Sequence, residues 1–121
     1  MKKEKLITIS VVILILLVAG GVIFFKNTSF TVKDTPSEEA AKWIGEHSVL
    51  YILPTCSHCK EQKDLFGVNV KYLNMIDCSK NVQTCINSGI EATPTWVIDG
   101  QKYVGVQSIE KLKELTGYQD K

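Results

Sequence analysis

The run Val49-Leu50-Tyr51-Ile52-Leu53-Pro54-Thr55-Cys56-Ser57-His58-Cys59-Lys60 decides how the rest of this chain is read. Val49 to Leu53 is short and continuously apolar, the mark of a strand buried on both faces, and Pro54 stops it. Two cysteines follow at once, opening a predicted helix from Cys56 to Phe66 that also carries Lys63. Helical positions i and i+3 are neighbours on one face, close enough for a disulfide, whose Cα atoms must lie within roughly 7 Å. A cysteine at a helix N-terminus meets unpaired backbone N–H groups and the positive end of the macrodipole, and both favour its thiolate. A stabilised thiolate attacks and leaves readily in thiol–disulfide exchange. Cys56 is therefore the candidate exposed nucleophile and Cys59 the more buried resolving thiol. Ser57 and His58 are the tuning candidates, because a partly protonated imidazole beside Cys56 would lower its pKa further.

Outward from this motif the chain alternates helix and strand. Thr35-Pro36-Ser37-Glu38 has capping-box spacing with Pro at the first helical position, and predicts a helix to about His47 with Ala40, Ala41, Trp43 and Ile44 on or near its buried stripe. Val70 to Ile76 reads as a second strand, Ser79 to Ser88 as a helix ended by Gly89, and Thr95 to Ile98 as a third strand. Asp99-Gly100 turns into a short fourth strand around Tyr103 and Val104, and Ser108 caps a last helix ending before Gly117. Ala92-Thr93-Pro94-Thr95-Trp96 sets a proline just before the third strand, where it often marks a tight or cis peptide. Trp43 and Trp96 are read as core fillers, and Tyr51 as needing a partner for its hydroxyl. His47, near a helix end, reads as a capping cation.

The N-terminal stretch Leu6 to Phe25 is uncharged, and as a helix would span roughly 30 Å, the thickness of a bilayer's hydrocarbon core. It is longer than a cleaved signal's apolar region, and no polar start follows Ala19-Gly20-Gly21. The reading is an uncleaved anchor with Lys2, Lys3 and Lys5 holding the N-terminus in the cytoplasm. That gives a tip and anchor at 1–25, a linker at 26–34 and an extracytoplasmic domain at 35–121, in a cytoplasmic-membrane protein. With 121 residues there is room for one domain at most. The 14 basic residues, all Lys, against 13 acidic ones give a net charge of +1, which argues against a nucleic-acid binder.

These residues resemble the thioredoxin superfamily: CxxC after the first core strand, Thr-Pro before the third, Asp-Gly between the last two strands, and a closing helix. The implied fold is α/β, a four-stranded mixed sheet flanked by helices. More narrowly, CSHCKEQKDLFG, the pair Asp77-Cys78, ATPTWVIDGQKYVG and LTGY are similar to the thioredoxin-like domain that accompanies vitamin K epoxide reductase homologues in prokaryotes and plastids. That resemblance implies protein thiol and disulfide substrates, a quinone-reducing membrane partner encoded separately, and a cis Thr93–Pro94 bond facing Cys56, with the Thr93 backbone pairing with substrate. Two departures stand out. Ser57-His58 is closer to the His-containing motifs of disulfide oxidases and isomerases than to the usual Gly-Pro. The acid that many members bury six positions before the first cysteine is Leu50 here, leaving Lys60 or Glu61 as the nearest ionisable groups for proton transfer from Cys59.

Cys78 and Cys85 admit three readings: a structural disulfide, a second redox pair, or free thiols. The even cysteine count favours pairing. The leading functional reading is a membrane-anchored thiol–disulfide oxidoreductase, a disulfide oxidase by preference and otherwise a reductase or isomerase. No organic cofactor or metal is implied. Two readings from other classes compete: a zinc module using Cys56, Cys59, Cys78 and Cys85, and a redox-inactive binding module with Cys56–Cys59 as a locked staple. The zinc reading strains the usual spacing of two to four residues between paired ligands.

Overall fold

The computed structural model describes residues 2–26 and 35–121, with side chains for 2–19 and 35–121. The chain divides into two units, Met1–Val32 and Lys33–Lys121. The first contains helix α1 (Lys2–Lys26). The membrane span expected there is overturned: among the described residues, no helix is long and apolar enough to cross a membrane. Lys2, Lys3, Glu4 and Lys5 occupy the helix's first turn. The single-pass topology and cytoplasmic-membrane location fall with that span. Residues 27–34 of the expected linker lie outside the described residues, and Lys26 ends α1.

The second unit runs α2 (Glu38–Glu46), β1 (Val49–Ile52), α3 (Ser57–Asp64), a 3-10 helix (Gly67–Tyr72), β2 (Met75–Asp77), α4 (Val82–Asn87), β3 (Thr95–Ile98), β4 (Gln101–Val104) and α5 (Ile109–Thr116). The four strands lie in the order β2-β1-β3-β4. β1 pairs parallel with β2 and antiparallel with β3, and β3 pairs antiparallel with β4. This is the mixed α/β sheet expected. β1 is internal, which is why its run is apolar throughout: Leu50, Tyr51 and Ile52 are all buried. The β3–β4 hairpin closes on Asp99-Gly100, both with positive φ (49° and 76°), as the two-residue primed turn requires.

The boundaries differ from expectation in three places. Ser37, not Thr35, caps α2, its hydroxyl accepting the Ala40 N–H at 3.2 Å. Pro36 sits before the cap, and its carbonyl accepts from the Asn69 side chain at 2.9 Å. The strand expected over 70–76 is a 3-10 helix through Tyr72, and only Met75–Asp77 pairs with β1. Here packing against α2 decides: Gly45 brings α2 so close to the Tyr72 carbonyl that a Cβ would have no room. The helix expected over 79–88 is only six residues, α4 at Val82–Asn87.

The core gathers Ala41, Ile44, Leu50, Ile52, Cys59, Phe66, Leu73, Trp96, Ile98, Ile109 and Leu112. Trp96 is wholly buried, its ring centroid 6.1 Å from that of Phe66. Trp43 is not a core residue: it remains 38% exposed, stacks on His47, and donates its indole N–H to the Thr116 carbonyl at 2.9 Å. His47 is the C-cap of α2, its ring Nδ1 2.8 Å from the Trp43 carbonyl oxygen. The Tyr51 hydroxyl meets Ser88 Oγ at 3.0 Å.

Candidate active site

Cys56 is the N-cap of α3, with extended backbone (φ −84°, ψ 115°). Its sulfur takes the part a Ser or Asp oxygen plays at other helix starts, accepting the Cys59 N–H at 3.1 Å. The Cys56 N–H donates to the Leu53 carbonyl at 3.2 Å, which fixes the turn from β1 through Pro54-Thr55 into the helix. On its other side the Cys56 thiol donates to the Thr93 carbonyl at 3.5 Å. The Thr93–Pro94 peptide is cis. The loop around it is tied at both ends: Thr95 Oγ1 donates to the Ala92 carbonyl at 2.7 Å, and the Gly105 N–H donates to the Pro94 carbonyl at 2.8 Å.

The two thiols are free and chemically unequal. Burial pushes the Cys56 thiol up, but hydrogen bonds from Cys59, to Thr93, and from the Cys59 and His58 main-chain N–H groups outweigh it, leaving the thiol below its ordinary value. Burial pushes Cys59 up, and its hydrogen bond with Cys56 pushes it further. Cys59 is 1% exposed and part of the core, whereas Cys56 is only half-buried. A half-buried thiol with stabilised anion above a buried, protonated one is the arrangement stepwise disulfide exchange needs.

The His58 ring does not do what the sequence suggested. Its Nδ1 faces Glu61 Oε2 at 3.5 Å and the side chain is largely exposed, so the residue's contribution to Cys56 comes through its backbone N–H. Ser57 is the exposed first residue of α3. Lys60 is held by Asp64 at 2.6 Å, so both ionisable groups considered for proton transfer, Lys60 and Glu61, are engaged on the helix's exposed side.

Sequence reasoning missed Gln62. It is fully buried beneath the motif, accepts the Trp96 indole N–H at 3.0 Å and the Gln107 N–H at 2.6 Å, and donates to the Gln107 carbonyl at 3.1 Å. It thus locks α3 to β3 and to the segment before α5. The available signal was spacing: Gln62 is three residues beyond Cys59, on the same helical face. Leu50, in the place of the buried acid, is wholly buried and apolar.

Cys78 and Cys85 form a disulfide with Cα atoms 5.8 Å apart. That pairing removes two of the four thiolates the zinc reading required, and among the described residues no three His, Cys, Asp or Glu side chains gather as a metal site would need. Cys56 and Cys59, which the binding-module reading would lock as a staple, are free in this structure.

Sheet order, the CxxC pair at the start of α3 and the Thr93–Pro94 loop facing it make a thioredoxin-like arrangement. No family model matches the chain. It is similar to the thiol-disulfide oxidoreductase LTO1 of Arabidopsis thaliana, 36% identical over 72 residues, covering 52% of this chain and 19% of that protein. It is also similar to the thioredoxin domain-containing protein 5 homolog of Drosophila melanogaster, 29% identical over 97 residues, covering 68% of this chain and 23% of that protein. The chain thus spans about a fifth of the length of these curated relatives. The likenesses support a thioredoxin-like superfamily.

Proposed function

We propose that this chain is a thiol–disulfide oxidoreductase acting on protein thiols through Cys56 and Cys59, and that it works as a disulfide donor. The observation that carries the reading is the inequality of the two thiols. In the donating direction, a substrate thiolate attacks Cys56 Sγ of the oxidised pair. The Cys56–Cys59 bond breaks, and Cys59 leaves and takes up a proton, as its raised pKa favours. A second substrate thiolate then attacks the first substrate sulfur, and Cys56 departs as a thiolate, which its lowered pKa makes a good leaving group. Two substrate thiols lose two electrons and two protons; the pair accepts both electrons, Cys59 keeps one proton, and the other passes to water.

The reverse direction asks Cys59 to lose its proton in the core, with Leu50 where an acid would stand and Gln62 unable to act as a base. The reduced form is stabilised by the hydrogen bonds to the Cys56 sulfur, and stabilising the reduced form makes a pair more oxidising. Substrate would lie along the Thr93–Pro94 loop, pairing with the Thr93 backbone. Reoxidation requires an electron acceptor, and the resemblance to domains accompanying vitamin K epoxide reductase homologues supports a quinone-linked redox partner.

The test is to mix the oxidised full chain with a reduced, unfolded protein and follow thiols on both by alkylation and mass shift. One disulfide gained by the substrate per Cys56–Cys59 pair reduced is expected. Substrate thiols that persist while the pair stays oxidised would overturn the reading.

A further inference from the structure

We propose that Gln62 is a positioning residue for the Cys56–Cys59 reaction, whose buried side chain sets how closely the nucleophile's helix approaches the Thr93–Pro94 loop. The inference rests on the oxidoreductase reading above and adds to it a residue that acts without touching substrate.

Cys59 and Gln62 are the two buried residues of α3, and they lie on one face. A buried amide must find hydrogen-bond partners, where an apolar side chain would need none. Gln62 stands six residues beyond Cys56, about 9 Å along the helix, and two routes lead from it back to the loop that Cys56 touches. In the first, its Oε1 accepts the Trp96 indole N–H at 3.0 Å, and Trp96 is two residues beyond Pro94. In the second, Oε1 accepts the Gln107 N–H at 2.6 Å and Nε2 donates to the Gln107 carbonyl at 3.1 Å. The Gln107 side chain donates to the Gly105 carbonyl at 3.3 Å, and the Gly105 N–H donates to the Pro94 carbonyl at 2.8 Å. The ring closes at Thr93, whose carbonyl accepts the Cys56 thiol at 3.5 Å.

Directionality decides what this ring does. Cys59 and, just beyond α3, Phe66 hold the helix on the core by apolar contact, which is non-directional and does not by itself fix a register. Hydrogen bonds weaken steeply with distance and angle, so the Gln62 amide fixes the depth and register of α3 against β3 and the segment after β4. An amide supplies both the acceptor and the donor used here; no apolar side chain supplies either. Against the push of burial, Cys59 and Thr93 hold the Cys56 thiol below its ordinary value. A helix displaced from Thr93 therefore carries a more ordinary thiol, and a shift of about 1 Å at a reacting group can cost about a hundredfold in rate.

The experiment measures the pH profile of Cys56 alkylation by iodoacetamide in the reduced full chain and in Gln62→Met, Trp96→Phe and Ile44→Ala. Gln62→Met keeps the side chain's length and loses its hydrogen bonds. Trp96→Phe breaks only the first route, and decides the question if Gln62→Met does not fold. Ile44→Ala destabilises the core from α2 without touching the ring, and so separates positioning from stability. At pH 6, alkylation of Cys56 is expected to be about threefold slower in Gln62→Met, slowed to a smaller extent in Trp96→Phe, and unchanged in Ile44→Ala. An unchanged profile in Gln62→Met, or in Trp96→Phe where it alone folds, would overturn the positioning role and leave the oxidoreductase reading standing; equal slowing in Ile44→Ala would do the same. If the parent Cys56–Cys59 pair fails to cycle between oxidised glutathione and dithiothreitol, both readings fall.

Discussion

The two cysteine pairs of this domain sit in adjoining segments and have opposite characters. Cys56 and Cys59 are three positions apart on one helix start, free, and split into a half-buried thiol with a favoured anion and a core thiol with a disfavoured one. Cys78 and Cys85 are seven positions apart, bridging the end of β2 to α4, and closed. What separates a reactive pair from a stapling pair is therefore not proximity, which both have, but what surrounds the sulfurs. The first pair meets helix N–H groups and the Thr93 carbonyl. The second ties two segments whose hydrogen bonds run to Ile52 and Ile90.

The comparison is broken most severely at Cys56. Cys56→Ser should abolish disulfide transfer to a reduced protein, because the Cys56–Cys59 disulfide can no longer form. Cys59→Ser should leave Cys56 able to form mixed disulfides that persist, visible as adducts by mass. Next in size is Gln62→Leu, which strips partners from the Trp96 indole and the Gln107 N–H. At about 1 to 3 kcal/mol for each unsatisfied buried donor, about 3 kcal/mol of stability should be lost, read as a lower denaturant midpoint. Removing the second pair through Cys78→Ala and Cys85→Ala should cost about 2 kcal/mol, the chain-entropy value for so short a loop, measured in the same way.

The smallest effect sharpens the comparison within the first pair. Cys56 lies below its ordinary value and Cys59 above it. In the reduced protein, alkylation of Cys56 should therefore rise and saturate at lower pH than for a free cysteine, while Cys59 should need higher pH. The sign extends to stability: a thiol whose folded pKa is depressed contributes stability present above its unfolded value and lost as pH falls through the folded one. The reduced protein should thus gain on the oxidised form across that window, as seen by melting the two forms in parallel.

Much of this was legible in the residues. A short, continuously apolar run ended by Pro marks an internal strand, Asp-Gly favours a tight hairpin turn, and CxxC just after a strand opens a helix; all three readings hold in β1, β3–β4 and α3. The misreadings share a cause, which is that tertiary contacts override local pattern. Val70 looks like strand but lies in a 3-10 helix set against α2 by Gly45. Trp43 looks like core but stacks on His47 at the surface. His58 looks like the tuning group, yet its ring turns to Glu61 and its backbone does the work, a choice no spacing reveals. Gln62 was hidden because a glutamine in a polar helix reads as exposed until its partners are seen. At the other end, counting uncharged residues from Leu6 onward suggested a membrane span that the described helix does not provide.

The central claim is that Cys56–Cys59 is a reversible redox pair poised to donate its disulfide. Its most direct test is the reduction potential of that pair in the full chain, by alkylation and mass shift across graded glutathione buffers, with Cys78 and Cys85 followed separately. A value near or above about −180 mV, the range of isomerases and oxidases, is the expected result. A value near the thioredoxin figure of about −270 mV would contradict disulfide donation, and the absence of any reversible transition would contradict the redox role itself.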